Sequence, residues 1–110
     1  MPAFLFSSLF LNCKNNPKIT PTEMIITIDT VAFVPETAHV KINTTVTWIN
    51  KDQFSHDVIS GKEDKSDNRF ASGYIEPGAK WIHRFDSTGS YPYFCSVHPW
   101  IMHGVVTVTK

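Results

Sequence analysis

The chain has no long apolar run, no charge imbalance and very little cysteine, and each shortage removes a class of protein. No stretch approaches the roughly 20 apolar residues that a helix needs to cross a bilayer. Ten Lys and Arg balance ten Asp and Glu over 110 residues. A nucleic-acid binder would need a basic stripe to displace counterions from phosphates, and none is present. Only two cysteines occur, Cys13 and Cys95, too few for a disulfide framework, although one Cys13–Cys95 bridge could form in principle. No segment carries a convincing helical period. The length suits one domain that buries about two-thirds of its extended surface without cross-links.

What the chain does have is β alternation. Met24-x-Ile26-x-Ile28 alternates as a half-buried strand. Phe33 is expected to plug the core, and Pro35 to block ladder pairing. Val40-x-Ile42 and Val46-x-Trp48 read as a hairpin around Asn43-Thr44, with Asn43, after Gly the residue most tolerant of positive φ, at the turn. His39, just ahead of a strand, reads as solvated. Gly61 to Arg69 holds charges of both signs and no apolar residue, and reads as a solvated surface loop. Pro77-Gly78 turns into Trp81-x-His83-x-Phe85, with His83 a partly buried, hydrogen-bonded residue. Ser87-Thr-Gly89 turns into Tyr91-x-Tyr93-x-Cys95, where Pro92 should sit where no ladder N–H is needed. Val106-x-Val108 ends the chain. About seven to eight short strands with turn chemistry between them predict an all-β, two-sheet sandwich.

The chemistry concentrates in Tyr91-Pro-Tyr-Phe-Cys95-Ser-Val-His98-Pro-Trp-Ile-Met102-His103-Gly104. A thiol, two imidazoles and a thioether in so short a run are the soft and borderline donors that select copper, and zinc less sharply, over hard cations. Cys95, His98 and Met102 fit one tight loop folded around a single ion. A fourth donor must come from elsewhere, and His56 is the best candidate. Two His, one Cys and a weak axial Met make up the blue-copper electron-transfer set.

From about Ile25 to Val108 the chain resembles small single-domain cupredoxins of the plastocyanin, amicyanin and pseudoazurin kind. The likeness rests on Phe33-x-Pro35, Val46-x-Trp48-x-Asn50, His56, Phe70-x-Ser72-Gly73, Pro77-Gly78, Gly89-x-Tyr91-x-Tyr93-x-Cys95 and Met102-x-Gly104-x-Val106-x-Val108. It implies a Greek-key sandwich, about 22–110, with one Cu+/Cu2+ ion at one end and no catalytic residue. The ion would be held by His56, Cys95, His98 and Met102. His103 is the rival axial donor, because a second His five residues after Cys-x-x-His resembles the red-copper relative nitrosocyanin; that relative uses a carboxylate where this chain has His56. Asp57, where the family usually has Asn, and Ser96 would tie the two ligand loops together.

The resemblance further implies a monomer that shuttles single electrons between redox proteins by brief docking over Pro99, Trp100, Ile101 and Phe54. Competing readings are an open copper site acting on a small molecule such as nitric oxide, and a copper carrier. Residues 1–21 are expected to lie outside the core. Ala3 to Leu11 has the length of a signal-peptide apolar region but no basic residue in front of it. It reads as an export signal with a missing start, as a plain signal cut before Thr22, or as a lipid anchor at Cys13, for which Asn12 is a poor fit. An extra strand fits less well, because Asn15-Asn-Pro-Lys is linker-like. Each export reading puts the domain outside the cytoplasm.

Overall fold

The computed structural model describes residues 22–110, and the expectations for residues 1–21, Cys13 included, lie outside the described residues. The described chain is a β-sandwich of nine strands: β1 (Glu23–Ile28), β2 (Phe33–Val34), β3 (Thr37–Lys41), β4 (Thr44–Asn50), β5 (Ile59–Lys62), β6 (Lys65–Ala71), β7 (Lys80–Phe85), β8 (Gly89–Phe94) and β9 (His103–Thr109). One sheet runs β2-β1-β4-β7 and the other β3-β9-β8-β5-β6. Both are mixed, with β1 parallel to β4 and β3 parallel to β9.

The alternation seen in sequence sets which side chains meet between the sheets, because successive strand residues point to opposite faces. Ile26 and Ile28 of β1 and Val46 and Trp48 of β4 are buried against Tyr93, Val106 and Val108 of the other sheet. The Trp48 ring meets Tyr93 edge-on, with centroids 5.4 Å apart. Phe33 is buried as expected and packs edge-on against Tyr93 at 4.7 Å. His83 lies half-buried, but among rings: Trp81 stacks on it at 5.4 Å, and Phe70 and Phe85 each lie 4.8 Å away.

Three local expectations are corrected. β3 and β4 do not pair as a hairpin, because they belong to different sheets. The Ile42 N–H donates to Thr109 O on β9, and the next N–H, that of Asn43, donates to Phe85 O on β7. The chain therefore changes sheets at this corner, and Asn43 takes the positive φ (73°) that the turn requires. The charged stretch from Gly61 to Arg69 is not a loop. It forms most of the β5–β6 hairpin, whose outer strand is the edge of its sheet. Charged side chains on an exposed edge discourage pairing with other chains, which explains a strand without apolar alternation. His39, similarly, is exposed but inside β3.

At Gly61 the β5–β6 register shifts, and a Cβ there would overlap the Lys65 carbonyl. The last β5–β8 pair is Ser60 with Tyr93. Cys95 N–H donates to Met102 O, so by alternation Tyr93 and Tyr91 direct their N–H toward β9 while position 92 faces β5. Pro92 thus stands where the ladder on that side has ended, and its missing N–H costs nothing.

Candidate metal centre

The strands deliver the site residues to one end of the sandwich. Cys95 follows β8 directly, and Met102 directly precedes β9. The intervening turn closes on its own backbone: Cys95 N–H donates to Met102 O (3.1 Å), His98 N–H to Cys95 O (3.2 Å) and Met102 N–H to His98 O (3.0 Å). His56 arrives from the loop after β4 and is pinned to Ile75 by two backbone hydrogen bonds.

His56, Cys95 and His98 converge, their donor atoms all within 4.8 Å of one another. Cys95 Sγ lies 3.7 Å from His56 Nδ1. Two bonds of about 2.0–2.3 Å from one metal to N and S, opened by about 120°, separate the donors by about the same distance. His98 Nδ1 is buried and has no hydrogen-bond partner among the described residues. Buried polar atoms are seldom left so, and a bound ion would satisfy this one. Met102 and His56 are fully buried, as is Cys95. Soft donors, spacing and an orphaned nitrogen together fit a copper ion.

His103 is placed differently. It starts β9, is exposed, and its Nε2 lies 2.7 Å from Pro99 O. It does not join the His56–Cys95–His98 group.

Polar groups hold the donors in place. Asp57 spans the two loops: its Oδ1 accepts the Ser96 N–H (2.7 Å), its Oδ2 accepts the Ser96 hydroxyl (2.5 Å), and its own N–H points at Cys95 Sγ (3.4 Å). Burial pushes the Cys95 thiol up; the N–H groups of Asp57, Val97 and His98 oppose that rise, and the charge of Asp57 adds to it. A thiol kept protonated is a poor nucleophile, whereas a coordinated cation would deprotonate it outright.

Sequence reasoning assigned no role to Asp52, four residues before His56. Its Oδ2 lies 2.9 Å from His56 Nε2, and its Oδ1 and Oδ2 also accept the N–H groups of Thr30 and Val31, each at 2.8 Å. Desolvation raises the Asp52 carboxyl, but the Val31 N–H, the His56 ring and the Thr30 N–H outweigh it, and the net displacement is downward. The available signal is the i, i+4 spacing of an acid and a histidine in a polar bend.

Around this end lie exposed apolar side chains: Trp100 (74%), Ile101 (65%) and Phe54 (58%), with Val97, which the sequence did not single out, beside His98 in the turn.

The comparisons agree with the geometry. The family described as copper binding proteins, plastocyanin/azurin family, matches residues 21–109. A plastocyanin from Scenedesmus fuscus is 31% identical over 85 residues, covering 71% of this chain and 87% of that protein. An amicyanin from Paracoccus versutus is 27% identical over 85 residues, covering 77% of this chain and 64% of that protein. A solved purple cupredoxin from Nitrosopumilus maritimus superposes with a TM-score of 0.73 at 32% identity, covering 78% of this chain and 99% of that one. The chain belongs to the copper-binding plastocyanin/azurin family.

Proposed function

We propose that this protein carries single electrons between redox proteins on one copper ion held by His56, Cys95 and His98, with Met102 as the weak fourth donor. The observation that carries the reading is the convergence of a buried thiol and two imidazoles from distant points of the chain, one with a ring nitrogen unpartnered among the described residues. Bound copper supplies a one-electron couple between the cuprous and cupric states. The protein's part is rigidity. Backbone hydrogen bonds within the Cys95–Met102 turn, the His56–Ile75 bridge and the Asp57–Ser96 clamp leave the donors little room to move. Donors that hold still between oxidation states keep the reorganisation barrier low. No acid or base is needed, which favours a carrier over an enzyme.

Met102 is preferred to His103 as the fourth donor because it is fully buried, whereas His103 would have to leave Pro99 O and turn inward. Partner contact is assigned to Pro99, Trp100, Ile101 and Phe54. An apolar rim of this kind suits brief docking with a small interface. The domain is assigned residues 22–110, working as a monomer outside the cytoplasm, in keeping with the apolar run at residues 3–11.

The test is spectroscopic. Cupric ion added to apo-protein should give an intense blue or purple thiolate-to-copper band, absent in Cys95→Ala. Met102→Ala should shift that band and its electron-spin-resonance signal, and His103→Ala should leave both in place. A wild-type protein without the band would overturn the reading, and a shift confined to His103→Ala would reassign the fourth donor.

A further inference from the structure

We infer that Asp52 is a positioning residue of this centre: its carboxylate holds the His56 ring with Nε2 as donor and Nδ1 turned to Cys95, and its charge favours the cupric state. The inference rests on the copper reading above, and deepens it by naming what orients and tunes the donor that comes from outside the Cys95–Met102 turn.

A carboxylate only accepts hydrogen bonds, so the 2.9 Å contact between Asp52 Oδ2 and His56 Nε2 puts the ring proton on Nε2. The neutral ring then offers a bare lone pair at Nδ1, the atom 3.7 Å from Cys95 Sγ. A ring carrying its proton on Nδ1 would instead present a hydrogen to the position a metal must take. Tautomer and orientation are therefore set together, as hydrogen-bond partners of metal-ligating histidines generally do.

Asp52 is itself fixed from three directions. The N–H groups of Thr30 and Val31 donate to its two oxygens, and its own N–H donates to Asn50 Oδ1 at 2.9 Å. Asn50, fully buried, spends its amide on Phe54 O and Ile75 O, both at 2.8 Å. Thr30 and Val31 hold φ of 54° and 56°. For β-branched residues that conformation is costly, and the turn keeps it while aiming both N–H groups at one carboxylate. A turn strained in this way, a buried amide and a histidine thus share a single anchor.

The experiment separates positioning from support of the turn. In 15N-labelled apo-protein at pH 7.5, the His56 ring should show one tautomer, protonated at Nε2. Asp52→Asn keeps an acceptor for Nε2 but removes the charge, and places an amide against the Thr30 N–H; Asp52→Ala removes both. The ring should keep its tautomer in Asp52→Asn and become a mixture in Asp52→Ala. With copper bound, the potential of Asp52→Asn should rise so that the cuprous-to-cupric ratio at fixed potential grows about tenfold, or about 59 mV. Lost stability alone would not move these readouts in this way. If Asp52→Ala does not fold, Asp52→Asn carries the test.

A wild-type ring protonated on Nδ1, or a potential unchanged or lowered in Asp52→Asn, would overturn the inference. Should wild type give no thiolate band while its apo ring behaves as described, the copper reading fails and the ring placement stands. Should the band form with ring and potential indifferent to Asp52, only this inference fails.

Discussion

Replacing Asp57 by Asn should raise the reduction potential by about 100 mV while leaving the centre's shape intact. Three features of the structure permit that substitution to act on charge almost alone. The contact to Cys95 Sγ comes from the backbone N–H of residue 57, so it survives any side-chain change. An Asn oxygen can still accept the Ser96 N–H, and the Ser96 hydroxyl can rotate from donor to acceptor for the new amide. Residue 57 is 5% exposed, so little water screens it. For a carboxylate and a bound ion on the order of 7 Å apart, a unit charge at an effective dielectric of about 20 is worth about 2.4 kcal/mol. That is nearly two decades of the cuprous-to-cupric ratio, and each decade of a one-electron couple is about 59 mV. The anion favours the more positive cupric state, so removing it favours the cuprous one and lifts the potential. Cyclic voltammetry of both proteins, with matched visible spectra to show an unaltered donor set, measures the difference. A potential that stays put or falls would refute the electrostatic argument.

Two other substitutions probe the scaffold. A Cβ at Gly104 would overlap the end of the buried Tyr93 ring, so Gly104→Ala should cost about 1–3 kcal/mol through overpacking, read as a lowered melting temperature; an unchanged one would show that Tyr93 can shift freely. Burial among aromatic rings holds His83 below its ordinary value of 6.5 despite the raising effect of Asp86. The folded state then binds fewer protons than the unfolded one, so the stabilisation from this group is present above about pH 6.5 and is lost as pH falls below it. The urea midpoint of wild-type apo-protein should therefore drop between pH 7.5 and 5 by more than that of His83→Phe, and parallel midpoints would count against the assignment.

Which parts of this fold could be read from sequence follows from what each strand contacts. β1, β4, β7 and β9 bury one face and expose the other, so their apolar residues alternate and announce them. The pattern fixes a face but not a partner. That is why β3 and β4, adjacent in sequence and both alternating, read as a hairpin although they lie in opposite sheets. The choice is made by Ile42 and Asn43 donating to different sheets, a long-range event without a local signature. β6 leaves no such trace for the opposite reason. At a sheet edge nearly all its side chains face solvent, so nothing alternates.

The site divides along the same line. Cys95, His98 and Met102 share one turn whose hydrogen bonds close within eight residues, so local spacing revealed them together. His56 has no such closure, and only its place in the ordered series of family residues suggested it. Asp52 is one step further removed, since its role depends on the Thr30–Val31 turn and on a ring whose own place was inferred. A formal net charge of zero points to neither Asp52 nor Asp57, and of the two only Asp57 is singled out by the resemblance. A global charge count cannot register them, because what matters is where the charge sits. Asp52 meets the His56 ring and Asp57 ties in Ser96, while the large exposed apolar side chains at this end are Phe54, Val97, Trp100 and Ile101. On the copper reading, charge beside the donors tunes the potential, and the apolar side chains are proposed to meet the partner. Mutations that move the potential should for that reason leave partner affinity largely alone, and rim mutations should do the reverse.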